Sequence, residues 1–210
     1  MSEANEHEAS QLLVRIRFSC HSNPAMLYTK KGDGGKTKLF SCDQTISKSS
    51  NIAEALGTLD ELNSFLGVCK VRSSGLLTGL DSGFNTFGDI LHWVQENLFI
   101  IQAQVAGAGK TMDASKTEVM EDAVDKIEKM LPPIKTFFIA GGDELSATLD
   151  FARTLARRAE RRVIAVQEEN LVHIQLEILS FLNRLSSLLY ALARLSNQKS
   201  GIKEVTPKYE

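Results

Sequence analysis

Apolar residues recur at steps of three and four along most of the chain after Ser49, which is the spacing of an amphipathic α-helix. Five such runs are separated by glycine, proline or serine, residues that commonly end or begin helices. No run alternates convincingly at period two, as a half-buried strand would. The pattern predicts an all-α protein, folded as an up-and-down bundle of five helices.

Capping and breaking residues set the expected helix bounds. Ser115 and Glu118 have the spacing of a capping box, and Pro132-Pro133 forbids extension of the helix that they begin. The predicted helices run from Ser49 or Ser50 to Ser73, from Phe87 to Val105, from Ser115 to Leu131, from Asp143 or Ser146 through an arginine-rich stretch, and from about Val172 to Asn197.

Length and composition describe one domain. The 210 residues are 43% hydrophobic and 24% charged, so the chain has enough apolar residues to bury a sizeable core. The formal net charge of −2 argues against a general binder of nucleic acid or of membrane surfaces, and we expect neither partner. No segment approaches the uninterrupted apolar length that a membrane span requires.

The cysteines indicate the redox compartment. Cys20, Cys42 and Cys69 are odd in number and far apart, without a Cys-x-x-Cys pair or a histidine at ligand spacing. Neither a zinc site nor a disulfide framework is indicated. We therefore expect a reducing compartment and a cytoplasmic protein.

The first 25 residues start with acidic side chains and become apolar and basic at Leu12 to Phe18. A secretory signal would place positive charge first, and a mitochondrial presequence would avoid acids. We predict a disordered N-terminal extension at residues 1–25, a helical-bundle domain at 26–200 and a C-terminal tail at 201–210. An address to the mitochondrial matrix stays open if the protein is eukaryotic.

The segment Thr29 to Thr37, which reads Thr-Lys-Lys-Gly-Asp-Gly-Gly-Lys-Thr, is rich in glycine and lysine. Its glycines allow positive φ and inward-facing amides, and its lysines supply positive charge, so the segment is suited to hold phosphates. Asp33 either pins the turn or helps to hold magnesium beside a polyphosphate. For the segment alone, a solvated surface loop is an equal alternative.

Gly35-Lys36-Thr37 looks like the end of a Walker A loop, but the spacing fails. A P-loop requires a glycine five positions before Gly35, where this chain has Lys30. A strong buried strand before the segment and a helix directly after it are also missing from the pattern. We reject the P-loop.

Five arginines and one glutamate occupy positions 153–162. Arg153, Arg157, Glu160 and Arg161 fall at steps of four, three and one, which places the first three along one helix face with Arg161 beside them. Because arginine binds phosphate in a bidentate way, this ladder suits a polyphosphate, with Glu160 orienting a neighbouring guanidinium. A solvated, salt-bridged helix surface is the commoner meaning of such a charge run.

Two further polar positions interrupt apolar runs. Asn183 could receive an adenine or ribose edge, or satisfy a buried polar contact between helices, and the residues alone favour the second role. Asp60 needs a cationic partner if it is buried, and Arg153 is a candidate.

Together these stretches resemble the PduO-type ATP:cob(I)alamin adenosyltransferases, the ATP:corrinoid adenosyltransferase family. The resemblance covers about Leu27 to Asn197, with every motif in the family's order. The motifs are Thr29-x-x-Gly32-Asp33-x-Gly35-x-Thr37, Lys48, Gly57 to Asn63, Gln95 with Leu98-Phe99, Phe137 with Gly141-Gly142, Ala152-Arg153 through Arg157-Arg158-Ala-Glu160-Arg161, and Leu182 to Ser186.

The resemblance implies a ferritin-like five-helix bundle that assembles as a homotrimer, with each active site between neighbouring subunits. It implies an enzyme that transfers the 5′-deoxyadenosyl group of ATP to the cobalt of cob(I)alamin, giving adenosylcobalamin and triphosphate, with magnesium as cofactor. A reductase and a cobalamin-dependent client enzyme are the implied protein partners.

The same resemblance implies a role for each site residue. Asn183 would lie at the nucleoside end, Glu160 would place the nucleotide or its magnesium, and Arg153 would meet Asp60 of the partner subunit. Phe137 would press against the corrin, where apolar side chains displace the lower axial ligand of cobalt. The residues implied to wrap the ATP phosphates are Thr29, Gly32, Asp33, Gly35, Lys36, Thr37, Lys48 and Arg157.

Some positions depart from the family's usual pattern. The missing arginine at Ile52 is expected to loosen a contact with ATP or with the next subunit. These departures leave, as the alternative, a diverged non-catalytic ATP- or corrinoid-binding carrier or regulator. A helical oligomer that binds RNA or acidic partners through its arginine face is opposed by the net charge. The departing residues are Ser49, Ser50, Ile52, Gln102, Ala140 and Asp150.

Overall fold

The protein is a bundle of five helices, as the apolar periodicity predicts. A computed structural model describes residues 28, 30–39, 45–81, 83–170 and 172–209. Within them the helices are α1 (Asn51–Arg72), α2 (Phe87–Val105), α3 (Ser115–Met130), α4 (Glu144–Glu168) and α5 (Leu176–Lys199). The extension predicted for residues 1–25 and the predicted site residue Thr29 lie outside the described residues.

Helix α4 is in contact with both α1 and α5, while α2 packs on α1 and α3 packs on α5. The Trp93 ring on α2 lies 5.7 Å from the Phe181 ring on α5, which closes the bundle around one apolar core. Helix α5 is long and apolar enough to cross a membrane by length and composition, contrary to our expectation that no segment comes near this limit. More than half of its apolar window is buried among the other helices.

Side-chain caps explain the starts of three of the five helices, α1, α2 and α4. Ser50 accepts a hydrogen bond from the Ala53 amide at the start of α1, and Asp143 accepts one from the Ser146 amide at the start of α4. The capping box predicted at Ser115 and Glu118 is wrong, because Ala114 occupies the N-cap without a side-chain bond. A capping box instead begins α2, between Thr86 and Asp89.

A short antiparallel hairpin precedes α1, which the sequence pattern does not indicate. Strand β1 (Lys36–Lys38) pairs with β2 (Thr45–Ser47), with Thr37 opposite Ile46. Strands of three residues are too short to display a period of two, so only the structure reveals them. The hairpin attaches the glycine-rich segment to the end of the bundle at which α1 begins.

Candidate active site

The glycine-rich segment and Lys48, both assigned to the phosphates by the family resemblance, are in contact. The Lys48 amide donates to the Gly35 carbonyl at 2.9 Å, and Gly35 has a φ of +76°, a conformation that favours glycine. A Cβ built on Gly32 would lie 3.1 Å from Lys48 Nζ, so the ammonium group packs against the turn. The segment leads into β1 rather than into a helix, which agrees with the rejection of a P-loop.

This unit borders a first cavity of about 670 Å³, which we call the loop cleft. Its walls come from the hairpin, from α1 and from α2, and Asp60 of α1 lies among them with its side chain exposed. The lining residues are Thr37, Lys38, Leu39, Lys48, Ala53, Leu56, Asp60, Phe99, Gln102, Ala103 and Ala106.

A second cavity of about 610 Å³, which we call the arginine cleft, lies between α4, α5 and the segment that joins α3 to α4. Arg153 and Arg157 reach it from α4, and Phe137 reaches it from the connecting segment. Phe137 is 79% exposed, so an aromatic ring stands open beside two guanidinium groups. A site of this kind can receive an apolar surface and an anion together.

The connecting segment is held at its double glycine. The Gly141 amide donates to Asp150 Oδ2 at 3.1 Å, and Asn197 Nδ2 donates to the Gly141 carbonyl at 3.3 Å. At Gly142, where φ is +146°, a Cβ would lie 2.1 Å from Asn197 Oδ1. Only glycine fits there, because a side chain would be strained and would collide with α5.

The arginines of α4 divide between two faces. Arg158 forms an ion pair with Glu61 of α1, and Arg162 forms one with Glu54 at 3.4 Å, so these two have the structural role expected of a charge run. On the other face Arg157 is exposed and forms no ion pair with any residue that the structure describes. Arg157 is therefore available to bind an anion.

Glu160 and Asn183 are joined directly. Asn183 Nδ2 donates to Glu160 Oε1 at 2.9 Å, and Arg184 bonds Asn183 Oδ1 at 2.7 Å and Glu121 at 2.7 Å. This chain of hydrogen bonds links α3, α4 and α5. Asn183 thus makes the polar contact between helices that the residues alone favour, but it is exposed rather than buried. Glu160 orients an amide rather than the guanidinium that was expected.

Arg153 and Asp60 are not brought together within the protomer. Arg153 Nε lies 3.9 Å from Asp150 Oδ1, and this buried atom has no hydrogen-bond partner among the described residues. Asp60 borders the loop cleft, whereas Arg153 borders the arginine cleft. Glu61, next to Asp60, pairs instead with Arg158 of α4 inside the chain.

Asp150, which departs from the family's usual histidine, lines the arginine cleft. Burial raises the pKa of its carboxyl group, and the hydrogen bond from the Gly141 amide and the charge of Arg153 act in the opposite direction. Ile52, the other prominent departure, is 7% exposed and belongs to the apolar core. Its side chain therefore packs inside the bundle.

Sequence reasoning missed a third contribution to the arginine cleft, from α5 and from the tail segment, by which we mean residues 202–205. Tyr190 and Arg194 of α5 and Glu204 of the tail segment line the cleft. An arginine within the apolar run Leu188 to Leu195 of α5 was the available signal for Arg194. Nothing in the pattern of residues 201–210 indicates that Glu204 returns to the bundle.

The residues present fit a magnesium ion only if the nucleotide carries it. The described residues contain no group of three His, Cys, Asp or Glu side chains that could form a protein cage for a metal. Glu160 is a single carboxylate, three residues after Arg157 on α4. Magnesium is commonly held by one or two carboxylates together with substrate phosphates, and this arrangement meets that need.

The sequence of the chain is similar to those of known corrinoid adenosyltransferases. The chain is 34% identical over 194 residues to "Corrinoid adenosyltransferase PduO" of Salmonella typhimurium, across 87% of this chain and 54% of the relative, so it spans about half the length of that protein. It is 37% identical over 183 residues to "Corrinoid adenosyltransferase" of Bacillus subtilis, across 85% of this chain and 90% of the relative.

A solved structure is also similar. A variant PduO-type ATP:corrinoid adenosyltransferase from Lactobacillus reuteri, complexed with cobalamin and ATP, superimposes with a TM-score of 0.76 at 28% identity, across 88% of this chain and 97% of that chain. Residues 27–196 match the family described as "Cobalamin adenosyltransferase". With its five-helix bundle and its arginine cleft, the chain belongs to the cobalamin adenosyltransferase family.

Proposed function

We propose that the protein transfers the 5′-deoxyadenosyl group of ATP to the cobalt of cob(I)alamin, giving adenosylcobalamin and triphosphate. One observation carries this proposal: the exposed Phe137 lines the same cleft as Arg157, which has no ion-pair partner among the described residues. The first suits the phosphates of a nucleotide, and the second suits the apolar face of a corrin ring.

The reaction needs alignment and charge stabilisation rather than a protein nucleophile. The electron pair of Co(I) forms the new bond to C5′, the C5′–O bond breaks, and its electron pair leaves with triphosphate. Arg157 stabilises the charge that develops on the leaving group, and Lys48 with the amides of residues 32–37 holds the chain of phosphates. Thr29, Gly32, Asp33, Gly35, Lys36 and Thr37 complete this phosphate site.

The nucleoside end is assigned to Asn183. Its amide is held by Glu160 on one side and by Arg184 on the other, which fixes the direction of its remaining hydrogen-bonding capacity. Glu160 thereby acts as an orienting residue. Magnesium, when bound with ATP, supplies positive charge to the phosphates, and Glu160 is the residue that would help to hold it.

The complete site would form between subunits of a homotrimer. The loop cleft and the arginine cleft share no lining residue, and each holds only some of the groups that the reaction requires. If the arginine cleft of one subunit faces the loop cleft of another, Arg153 meets Asp60 of the partner subunit. That contact gives the buried Arg153 Nε an acceptor, which it lacks among the described residues of its own subunit.

Turnover tests the proposal. Purified protein with ATP, magnesium and chemically reduced cobalamin should produce adenosylcobalamin, which is detected by its absorbance spectrum, together with one triphosphate per product. Binding of both ligands without any product would favour the alternative, a non-catalytic carrier or regulator. The reductase that supplies Co(I), the client enzyme and a cytoplasmic location are part of the proposal and need separate experiments in cells.

A further inference from the structure

Arg194 is the most deeply buried charged side chain among the described residues, with 4% of its side chain exposed. Its guanidinium bonds Glu204 through two parallel contacts, Nε to Oε1 at 2.8 Å and NH2 to Oε2 at 2.9 Å. It also donates to the Pro132 carbonyl at 3.0 Å. One side chain of α5 therefore ties the tail segment to the start of the segment that connects α3 to α4.

The tail segment has a second attachment next to the first. The Ile139 amide donates to the Val205 carbonyl at 2.8 Å, and the Ile202 amide donates to the Asn197 carbonyl at 2.8 Å. The Phe138 ring lies 5.3 Å from Arg194 Cζ, so the guanidinium is stacked as well as hydrogen-bonded. The backbone directly after Phe138 is thus fixed by the tail segment, and the Phe138 ring is held against Arg194.

These contacts hold apolar side chains in an exposed position. Phe137 is 79% exposed and Ile139 is 56% exposed, although both lie in a short segment without regular structure. Free of attachment, such a segment would gain entropy and bury its apolar side chains by collapsing on the bundle. The Gly141 contacts hold one end, and the contacts of Arg194, Glu204 and Val205 hold the middle.

A gain in folding stability is a weak explanation for the buried Arg194–Glu204 ion pair. A buried ion pair loses hydration on both partners, and replacement by apolar residues is often neutral or stabilising. A bidentate arginine–carboxylate contact does fix direction, however, because its two bonds are parallel. The hydrogen bonds from Arg194 to Glu204 raise the pKa of the guanidinium, and burial acts in the opposite direction.

We propose that Arg194 and Glu204 are a positioning pair for corrinoid binding. They fix the tail segment against the connecting segment and so hold Phe137 and Ile139 in the arginine cleft as a preformed apolar surface. The tail segment then contributes to corrinoid binding by positioning these two side chains. This inference rests on the proposed function, because it assigns the apolar surface to the corrinoid.

The test is Glu204→Gln, which keeps the shape of the side chain and removes its charge. We expect KM for cobalamin to rise about tenfold, while kcat and KM for ATP stay within about twofold of the wild type. Amide hydrogen exchange of peptides that contain Ile139 should become faster without any ligand. Glu204→Asp should recover most of the affinity, because the charge returns.

The matched control is Asp122→Asn, which removes the acid of the exposed Asp122–Lys126 ion pair on α3. It should leave both KM values and the exchange of Ile139 unchanged. A second variant that ends at Lys203 should reproduce the effects of Glu204→Gln. Because this variant has no side chain at position 204, it shows whether a new contact of the glutamine causes the effects of Glu204→Gln.

Two results would overturn the positioning role. One is a Glu204→Gln variant whose cobalamin KM and Ile139 exchange both equal those of the wild type. The other is an equal rise in KM for ATP and for cobalamin, which indicates a general loss of structure. Failure of the wild type to form adenosylcobalamin is a different result: it overturns the proposed function, and with it the corrinoid assignment.

Discussion

The two faces of α4 carry the same residue type and differ in what surrounds it. On the α1 side, Arg158 and Arg162 meet Glu61 and Glu54, so their charge is neutralised within the protomer. On the arginine cleft, Arg157 has no such partner among the described residues. Density of positive charge along a helix is therefore a poor guide to a binding site, whereas a guanidinium without a partner beside a cavity is a better one.

The largest effect that separates the two faces is expected for Arg157→Ala. Removal of a group that stabilises developing charge commonly costs about 100-fold to 1,000-fold in rate. We expect kcat/KM for ATP to fall by at least about 100-fold, with the helical circular dichroism spectrum unchanged. Steady-state kinetics at saturating cobalamin measure the loss.

Arg162→Ala is the matched control, because it removes the same side chain from the other face of the same helix. Its kcat/KM should stay within about twofold of the wild type. Equal losses in the two variants would abolish the distinction between the faces. Unchanged kinetics in Arg157→Ala would remove Arg157 from the phosphate site.

Two neighbouring acids of α1 provide a second comparison. Asp60 is expected to contact the partner subunit, whereas Glu61 pairs with Arg158 inside the chain. Asp60→Asn is expected to raise the dissociation constant of the trimer about tenfold, equivalent to 1.4 kcal/mol, by weakening the contact with Arg153 of the partner subunit. Sedimentation velocity over a range of protein concentrations measures this change.

Glu61→Gln affects a pair inside the chain and should leave assembly unchanged. A trimeric and fully active Asp60→Asn variant at every concentration would show that the contact with Arg153 serves neither assembly nor turnover. An assembly defect in Glu61→Gln of the same size would assign the effect to the α1–α4 interface instead.

A smaller effect is expected on the stability of the α1 face. Arg162 and Glu54 are both about half exposed, with side-chain values of 46% and 48%. Exposed pairs of this kind contribute about 0.2–1 kcal/mol, so Arg162→Ala should lower the free energy of unfolding by that amount. Urea denaturation measures it, and added salt should shrink the difference. A loss that does not depend on salt would point to packing of the arginine stem instead.

The smallest effect concerns the pH dependence of Asp150. Because burial raises the pKa of this carboxyl group in the folded state, its ionised form opposes folding. The cost is absent in acid, where the group is protonated, and appears as the pH rises through the raised pKa. Asp150→Asn should therefore gain stability relative to the wild type between acid and neutral pH. Urea midpoints at several pH values measure this, and a difference that is constant with pH would contradict it.

Much of the fold could be predicted from the sequence because its determinants are local. The periodicity gave five helices, and Ser50 and Asp143 marked two of their starts as N-caps. The capping box predicted at Ser115 does not form, because a side chain two residues earlier makes the capping contact. The Asp113 side chain accepts from the Ser115 amide at 2.8 Å and takes the place of the expected cap.

The site could be predicted only in part, because its remaining contacts join residues far apart in the sequence. The loop with Lys48, and Glu160 with Asn183, were grouped by the family resemblance. The division of the arginines depends on acids about a hundred positions away on α1, and Glu204 meets Arg194 only after the chain turns back at Gly201. Neither periodicity nor spacing contains this information.

The close approach of Gly142 to Asn197 limits how this cleft can be altered by mutation. Any other residue at 142 would displace the α5 amide that holds Gly141, and would move the connecting segment as a whole. Substitutions at 134–140 face solvent or the cleft and leave that attachment intact. A library that seeks to accept a different corrinoid should therefore vary residues 134–137, 139 and 140. It should keep the double glycine and Phe138, whose ring lies against Arg194, so that the new side chains are presented on an unchanged backbone.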